Sequence, residues 1–414
     1  MRKAFCVLVA MLFASFAIAQ ERKVEYNQTY DVYQGAAPYD DDGFLTEPLA
    51  LSSAFPYGLV THWASGRQLD WVTEVGASWV RTGVGWEFVE PELTEPPTYH
   101  WEVADKIVND CRARGLKILW GFPYTPKWAS DNGQSNGVPR SPVAQEHWRK
   151  FVRATVERYR NDIDYFEPWN EPNSEKCWQG TTAEWVAYIL KPAWEEIKAV
   201  DPNKKVVGPT LECIRGARIK VEDFFWWLGV LHASQYIDIL SQNIYEQDGE
   251  AEDITNQFEK GDYECLNISI FGWRPCLRKR ISLFRIYNNN GFGKHPVWIN
   301  EFGWRSDRVG ESHQAKYVVE TLERLSRRPR FTNAFIYELQ DDPRFKPKWG
   351  IMKSDGSPKK VYWRLRDTFG TDSAPANTQE EPGELDFDGY GNNLFVPRRP
   401  DKSSFLYLVP KSPD

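Results

Sequence analysis

Two segments of this chain end an apolar run on a glutamate. Asp164-Tyr165-Phe166-Glu167-Pro168-Trp169-Asn170-Glu171-Pro172-Asn173 reads as a short strand that breaks at Asn-Glu-Pro. Pro296-Val297-Trp298-Ile299-Asn300-Glu301-Phe302-Gly303-Trp304 repeats the plan, with Gly soon after the acid. Strand interiors disfavour Glu, and Pro172 ends regular pairing one residue later, so Glu171 and Glu301 belong at strand mouths. Either one alone reads equally well as a solvated strand-end residue. Two together, among aromatic side chains, are what cleavage of a glycosidic bond by a carboxyl pair requires. In that chemistry one carboxylate attacks the anomeric carbon while the other acid protonates the leaving oxygen. The second group then deprotonates the incoming water. The pair needs unequal pKa values, which only unequal surroundings can supply.

The elements that must hold these two groups follow from the hydrophobic pattern. Short apolar runs alternate with longer helical ones, the signature of parallel βα units. Strands are expected at 57–61, 79–82, 116–120, 165–169, 205–208, 237–243, 297–300 and 333–338. Helices are expected at 69–75, 102–114, 144–160, 183–200, 222–233, 277–287, 312–327 and 361–369. Eight units in this order predict a (β/α)8 TIM barrel, an α/β fold with catalysis at the C-terminal ends of its strands. Glu171 follows the fourth strand and Glu301 the seventh, so both fall on that face.

At this point the chain resembles a known group. Trp169-Asn170-Glu171-Pro172-Asn173 and Trp298-Ile299-Asn300-Glu301-Phe302-Gly303 are similar to the acid/base and nucleophile motifs of glycoside hydrolase clan A, most like family 39 and its relatives. Supporting matches are Gly76-Ala77-Ser78-Trp79-Val80-Arg81, Arg114-Gly115-Leu116-Lys117-Ile118-Leu119 and the segment from Trp349 to Lys359. The resemblance spans about residues 55 to 370 and implies a retaining hydrolase acting on a poly- or oligosaccharide. It casts Glu301 as nucleophile and Glu171 as acid/base. Arg81 and Tyr245 match residues that hold the nucleophile ionised, and Asn170 would hydrogen-bond the sugar 2-hydroxyl. Asn300 is expected to turn away and support the loop. A transglycosylase with the same intermediate, and a non-catalytic carbohydrate-binding barrel, are the rival readings.

Further candidates for sugar contact lie just beyond strand ends: His62, Trp63, Trp86, Glu87, Tyr124, Trp128, Trp178, Trp304 and Trp349. Trp stacks on pyranose rings but also fills cores, so the 19 Trp residues support sugar binding only weakly. Glu87, Glu167 and Glu338 are rival acids outside either motif. No cofactor and no metal is expected, because the six His are scattered and no spacing resembles a zinc site.

The chain begins with Arg2, Lys3 and an apolar run closing on Ala17-Ile18-Ala19, which reads as a secretory leader over residues 1–19. Export to the periplasm or the medium is therefore expected, followed by a lead-in over 20–54, the barrel over 55–370 and an extension over 371–414. No other stretch reads as a membrane span. Without the leader, 49 basic side chains face 58 acidic ones, a net charge near −9 that argues against nucleic-acid binding. Five cysteines remain, and an exported chain can pair them. Cys265–Cys276 and Cys177–Cys213 are the expected disulfides, with Cys111 a free thiol in a helix.

Overall fold

The computed structural model describes residues 55–370, apart from 214–216, 246–249, 261 and 268–275. The expected leader, lead-in and extension lie outside the described residues. Within them, strands β1 (Tyr57–His62), β2 (Trp79–Thr82), β3 (Lys117–Gly121), β4 (Tyr165–Glu167), β5 (Lys205–Glu212) and β6 (Ile239–Tyr245) follow one another with helices between. A two-stranded excursion, β7 (Asp262–Asn267) and β8 (Cys276–Ile281), precedes β9 (Val297–Gly303) and β10 (Phe331–Ile336). The barrel closes in the order β1-β10-β9-β6-β5-β4-β3-β2. Every pairing in it is parallel. This is the eight-stranded (β/α)8 barrel that the alternation predicts. Its strands are covered on both faces, which is why they read as continuous apolar runs rather than as alternating ones.

The inside of the barrel is packed solid below the catalytic face. Val60, Trp79, Leu119, Val207, Ile239, Trp298 and Phe335 form a buried cluster there. The Trp79 ring lies edge-on 5.2 Å from Trp298 and 4.9 Å from Tyr165. Indoles of this size leave no channel, so the polar side chains above them stand on a rigid, dry floor.

Two of the barrel strands run three or more residues past the ends expected for them, through irregular registers. Gly208-Pro209 reads as a stop, yet β5 continues to Glu212. A register shift between Pro209 and Leu211 against β6 accommodates the missing proline N–H. In β9 the partner of Gln242 is Ile299 while the partner of Asn243 is Glu301, so Asn300 is bulged out of the ladder. That bulge turns Asn300 toward Thr210, with Nδ2 3.1 Å from Oγ1, and re-aims Glu301.

Three features depart from the sequence pattern. The helix expected over 277–287 begins only at Leu283, because Ser282 caps it by accepting from the Arg285 N–H at 3.1 Å. Residues upstream of that cap form the antiparallel β7–β8 pair. A helix at Ala251–Glu259, with apolar positions at 251, 254 and 258, fills a stretch where no element is expected. Third, the long helix after β4 contains a π turn, Val186–Leu190, ahead of Pro192. That proline has no N–H for a regular ladder. Among the described residues no helix is long and apolar enough to cross a membrane.

The cysteines also differ from expectation. Cys111 is a buried thiol in no disulfide, but neither Cys177 nor Cys213 is in one either. The Cys213 thiol contacts Gln257 at 3.5 Å, whereas Cys177 faces Tyr124 and Glu171. The expected Cys265–Cys276 pair lies on side chains outside those described.

Candidate active site

Strand ends bring both glutamates, buried, to one mouth. Arg81, at the third position of β2, is fully buried and organises the cluster. Its Nε and Nη2 grip Glu167 with both oxygens at 2.7 Å, its Nη1 donates to Glu301 Oε1 at 2.5 Å, and Nη2 also reaches Asn170 Oδ1 at 2.8 Å. A buried guanidinium needs such partners, and the fork geometry fixes Glu167 in one plane. On its other oxygen Glu301 accepts a hydrogen bond from the Tyr245 hydroxyl.

Burial pushes the Glu301 carboxyl above the ordinary glutamate range, while Arg81 and Tyr245 pull it down. The net direction is upward because burial outweighs those donors, with the nearby Glu167 charge adding a smaller push. The charges of Glu167 and Glu301 in turn hold Arg81 protonated against its own burial. Replacing Tyr245 by Phe removes a donor that favours the ionised form, so the Glu301 pKa rises further. Activity that needs ionised Glu301 is lost as pH falls through that pKa. The acid limb of kcat/KM should therefore move to higher pH in Tyr245→Phe, with a loss of about 10–100-fold on the scale of one charge-assisted hydrogen bond. That loss should be larger at acid than at neutral pH. A parallel drop at every pH would assign Tyr245 another role.

Glu171 has different surroundings. It adopts φ 47°, a left-handed conformation uncommon for a non-glycine residue. Its N–H donates to the Thr210 carbonyl at 3.0 Å, from the irregular stretch of β5. Asn243 Nδ2 donates to Glu171 Oε1 at 2.9 Å, and the Cys177 thiol lies 4.0 Å from Oε2. Burial pushes that thiol well above its usual range, so it remains S–H and can donate. Asn170 is held by Arg81, by Asn243 at 3.3 Å and by the Tyr124 hydroxyl at 3.4 Å.

The remaining candidates divide into two groups. His62 is partly exposed and bonds Glu338 Oε2 through Nε2 at 2.8 Å, joining β1 to the end of β10. Burial raises the Glu338 carboxyl, opposed by His62. Trp349 is half-buried with its ring 4.9 Å from Tyr245, so an indole stands beside the Tyr245–Glu301 pair. Trp63 and Trp128 are also half-buried. By contrast Trp86, Trp178 and Trp304 are fully buried and have no surface to offer a sugar. Trp86 donates to Glu90 at 2.6 Å and packs on Trp148, Trp178 donates to the Thr181 carbonyl at 3.2 Å, and Trp304 packs on Tyr317. These three are core residues, contrary to the expectation of sugar contact.

Asn243, Cys177 and Tyr337 line the cluster without having been singled out as site residues. Asn243 lies two residues before Tyr245 on β6, so strand alternation points both the same way, and that signal was available. Glu167, a rival acid by sequence, has both oxygens engaged by Arg81.

No known family model matches the chain. Among solved structures, it is similar to a family 39 glycoside hydrolase from Bacteroides cellulosilyticus WH2, at 20% identity and a TM-score of 0.58. That match covers 78% of this chain and 66% of the other. A glucosidase from Croceicoccus marinus matches at 15% identity and TM-score 0.56, covering 76% and 67%. A monomeric β-xylosidase from Caulobacter crescentus CB15 matches at 16% and 0.51, covering 75% and 67%. The barrel is one shared with glycoside hydrolases. At these identities the likeness is one of fold, and the chain spans about two thirds of the length of each of these proteins.

Proposed function

We propose that the protein is a retaining glycoside hydrolase that cleaves O-glycosidic bonds of a poly- or oligosaccharide through a covalent glycosyl-enzyme intermediate. One observation carries this reading: two buried glutamates at one barrel mouth with unequal partners. Glu301 is bonded by a guanidinium and a phenol, donors that favour a carboxylate ready to attack. Glu171 faces a neutral amide and a thiol, a setting suited to a group that gives up and takes back a proton.

In the first step Glu301 Oε attacks the anomeric carbon, and the bond to the leaving oxygen breaks as Glu171 donates its proton there. In the second, Glu171 takes a proton from water, the water oxygen bonds to the anomeric carbon, and Glu301 leaves. Asn170, fixed by Arg81 and Tyr124, is suited to hold the 2-hydroxyl while charge develops on the ring. Trp349 and the His62–Glu338 pair would bind the rest of that ring. The leader read at the N-terminus supports action outside the cytoplasm.

Proton NMR during hydrolysis of 2,4-dinitrophenyl β-D-xyloside and β-D-glucoside tests the proposal. The first sugar released should keep the β configuration before mutarotation. Release of the α anomer would overturn the covalent intermediate, and no turnover of any aryl β-glycoside would overturn the hydrolase reading.

A further inference from the structure

The loop after β2 carries a carboxyl that the two-glutamate chemistry does not use. Glu87 sits in the single helical turn Trp86–Val89, shortly beyond β2 on the face that carries Glu171 and Glu301. Its N–H donates to the Tyr124 carbonyl at 3.0 Å. The hydroxyl of that same Tyr124 meets Asn170 at 3.4 Å and Cys177 at 3.3 Å, so Glu87 stands one residue away from the wall beside Glu171. The residue is half-buried, and its Oε1 is sealed from solvent without a hydrogen-bond partner. Buried polar atoms are rarely left unpaired, and those that are call for an explanation.

The setting of that carboxyl offers one. Burial pushes Glu87 up to about 8, against the pull of Lys127. At neutral pH the group is mostly the uncharged acid, with a hydroxyl to donate. Two half-buried indoles are tied to the same stretch of chain. Trp63 Nε1 donates to the Gly83 carbonyl at 2.8 Å and its ring meets Phe88 edge-on at 5.1 Å, while Trp128 Nε1 donates to the Glu90 carbonyl at 2.9 Å. Indoles anchored to the same loop as a hydrogen-bonding carboxyl supply the two kinds of contact a pyranose takes, on its apolar C–H faces and on its rim of hydroxyls.

We propose that Glu87, Trp63 and Trp128 form a second sugar subsite, in which the Glu87 carboxyl donates to a hydroxyl of the unit next to the reacting ring. The inference rests on the reading of the protein as a glycoside hydrolase. It makes the substrate an oligosaccharide whose second unit contributes to binding. Glutamine keeps both the shape and a donor, whereas alanine keeps neither.

Rates on 4-nitrophenyl β-D-xyloside and β-D-glucoside are compared with rates on xylo- and cello-oligosaccharides of two to five units. In the unsubstituted protein kcat/KM should climb with chain length. Glu87→Ala should lower the oligosaccharide values by about tenfold, the scale of one neutral hydrogen bond, and flatten that climb. Glu87→Gln should restore most of it. An unchanged length profile in Glu87→Ala, or equal impairment in Glu87→Gln, overturns the subsite even while aryl glycosides are turned over. If the unsubstituted protein hydrolyses neither class, the hydrolase reading fails and the subsite falls with it.

Discussion

Glu301→Gln should abolish turnover of every glycoside, activated or not, while the protein stays folded. The loss should be on the order of 10⁶-fold, the scale that follows removal of a covalent nucleophile. An amide cannot attack the anomeric carbon, so no intermediate forms for either step to use. Folding should survive because Arg81 keeps its two-oxygen grip on Glu167. Removing one of two carboxylates around a single guanidinium leaves a neutral pair rather than a stranded charge. The amide oxygen can still accept from Arg81 Nη1, and the amide N–H can donate to the Tyr245 hydroxyl oxygen in place of Oε2. A thermal melt beside the rate measurement separates the two effects. Residual turnover within about a hundredfold, on the scale of an acid–base contribution rather than of a nucleophile, would remove Glu301 from its role.

The same cluster explains which parts of the site were legible in the sequence. Glu171 and Glu301 were, because a charged residue ending an apolar strand contradicts local propensity and so asks for a function. Arg81 was legible through the resemblance, and β2 does bury it against carboxylates. Its attachment to Glu167 was not. A glutamate inside a strand does not reveal which neighbouring strand will supply its partner until the barrel closes. Tryptophan was the weakest guide, since burial and sugar stacking select the same side chain. Trp86, Trp178 and Trp304 are in the core, whereas Trp63, Trp128 and Trp349 keep some surface. Strand ends were misjudged wherever a bulge let the chain continue, as at Pro209 and Asn300. The Cys177–Cys213 pairing failed because composition counts thiols without saying which way they face. The barrel itself was legible throughout, since its signal is the alternation of whole elements and survives errors at their ends.

Glu171→Ala should behave unlike any change at Glu301. With a dinitrophenyl glycoside the leaving group departs without protonation, so Glu301 can still attack and the first step should run. The second step has lost the base that activates water. A burst of dinitrophenol should therefore appear, followed by turnover slower by about 10²–10⁴-fold, the range of general acid–base assistance. On natural oligosaccharides, whose leaving oxygen needs the proton, the first step itself should fail. Azide is already nucleophilic and needs no base, and the cavity left by the side chain admits it beside Asn243 and Cys177. Added azide should restore steady turnover and release a glycosyl azide of retained β configuration, because it enters on the face that water would have used. Glu301→Gln should not respond, since the amide still fills the space on that side of the ring that an azide would need. Near-normal activity of Glu171→Ala on oligosaccharides would sink the acid/base assignment. Glu167 is an unpromising substitute, with both oxygens held by Arg81. The burden would then shift to Glu87, whose carboxyl, raised to about 8, already holds a proton at neutral pH.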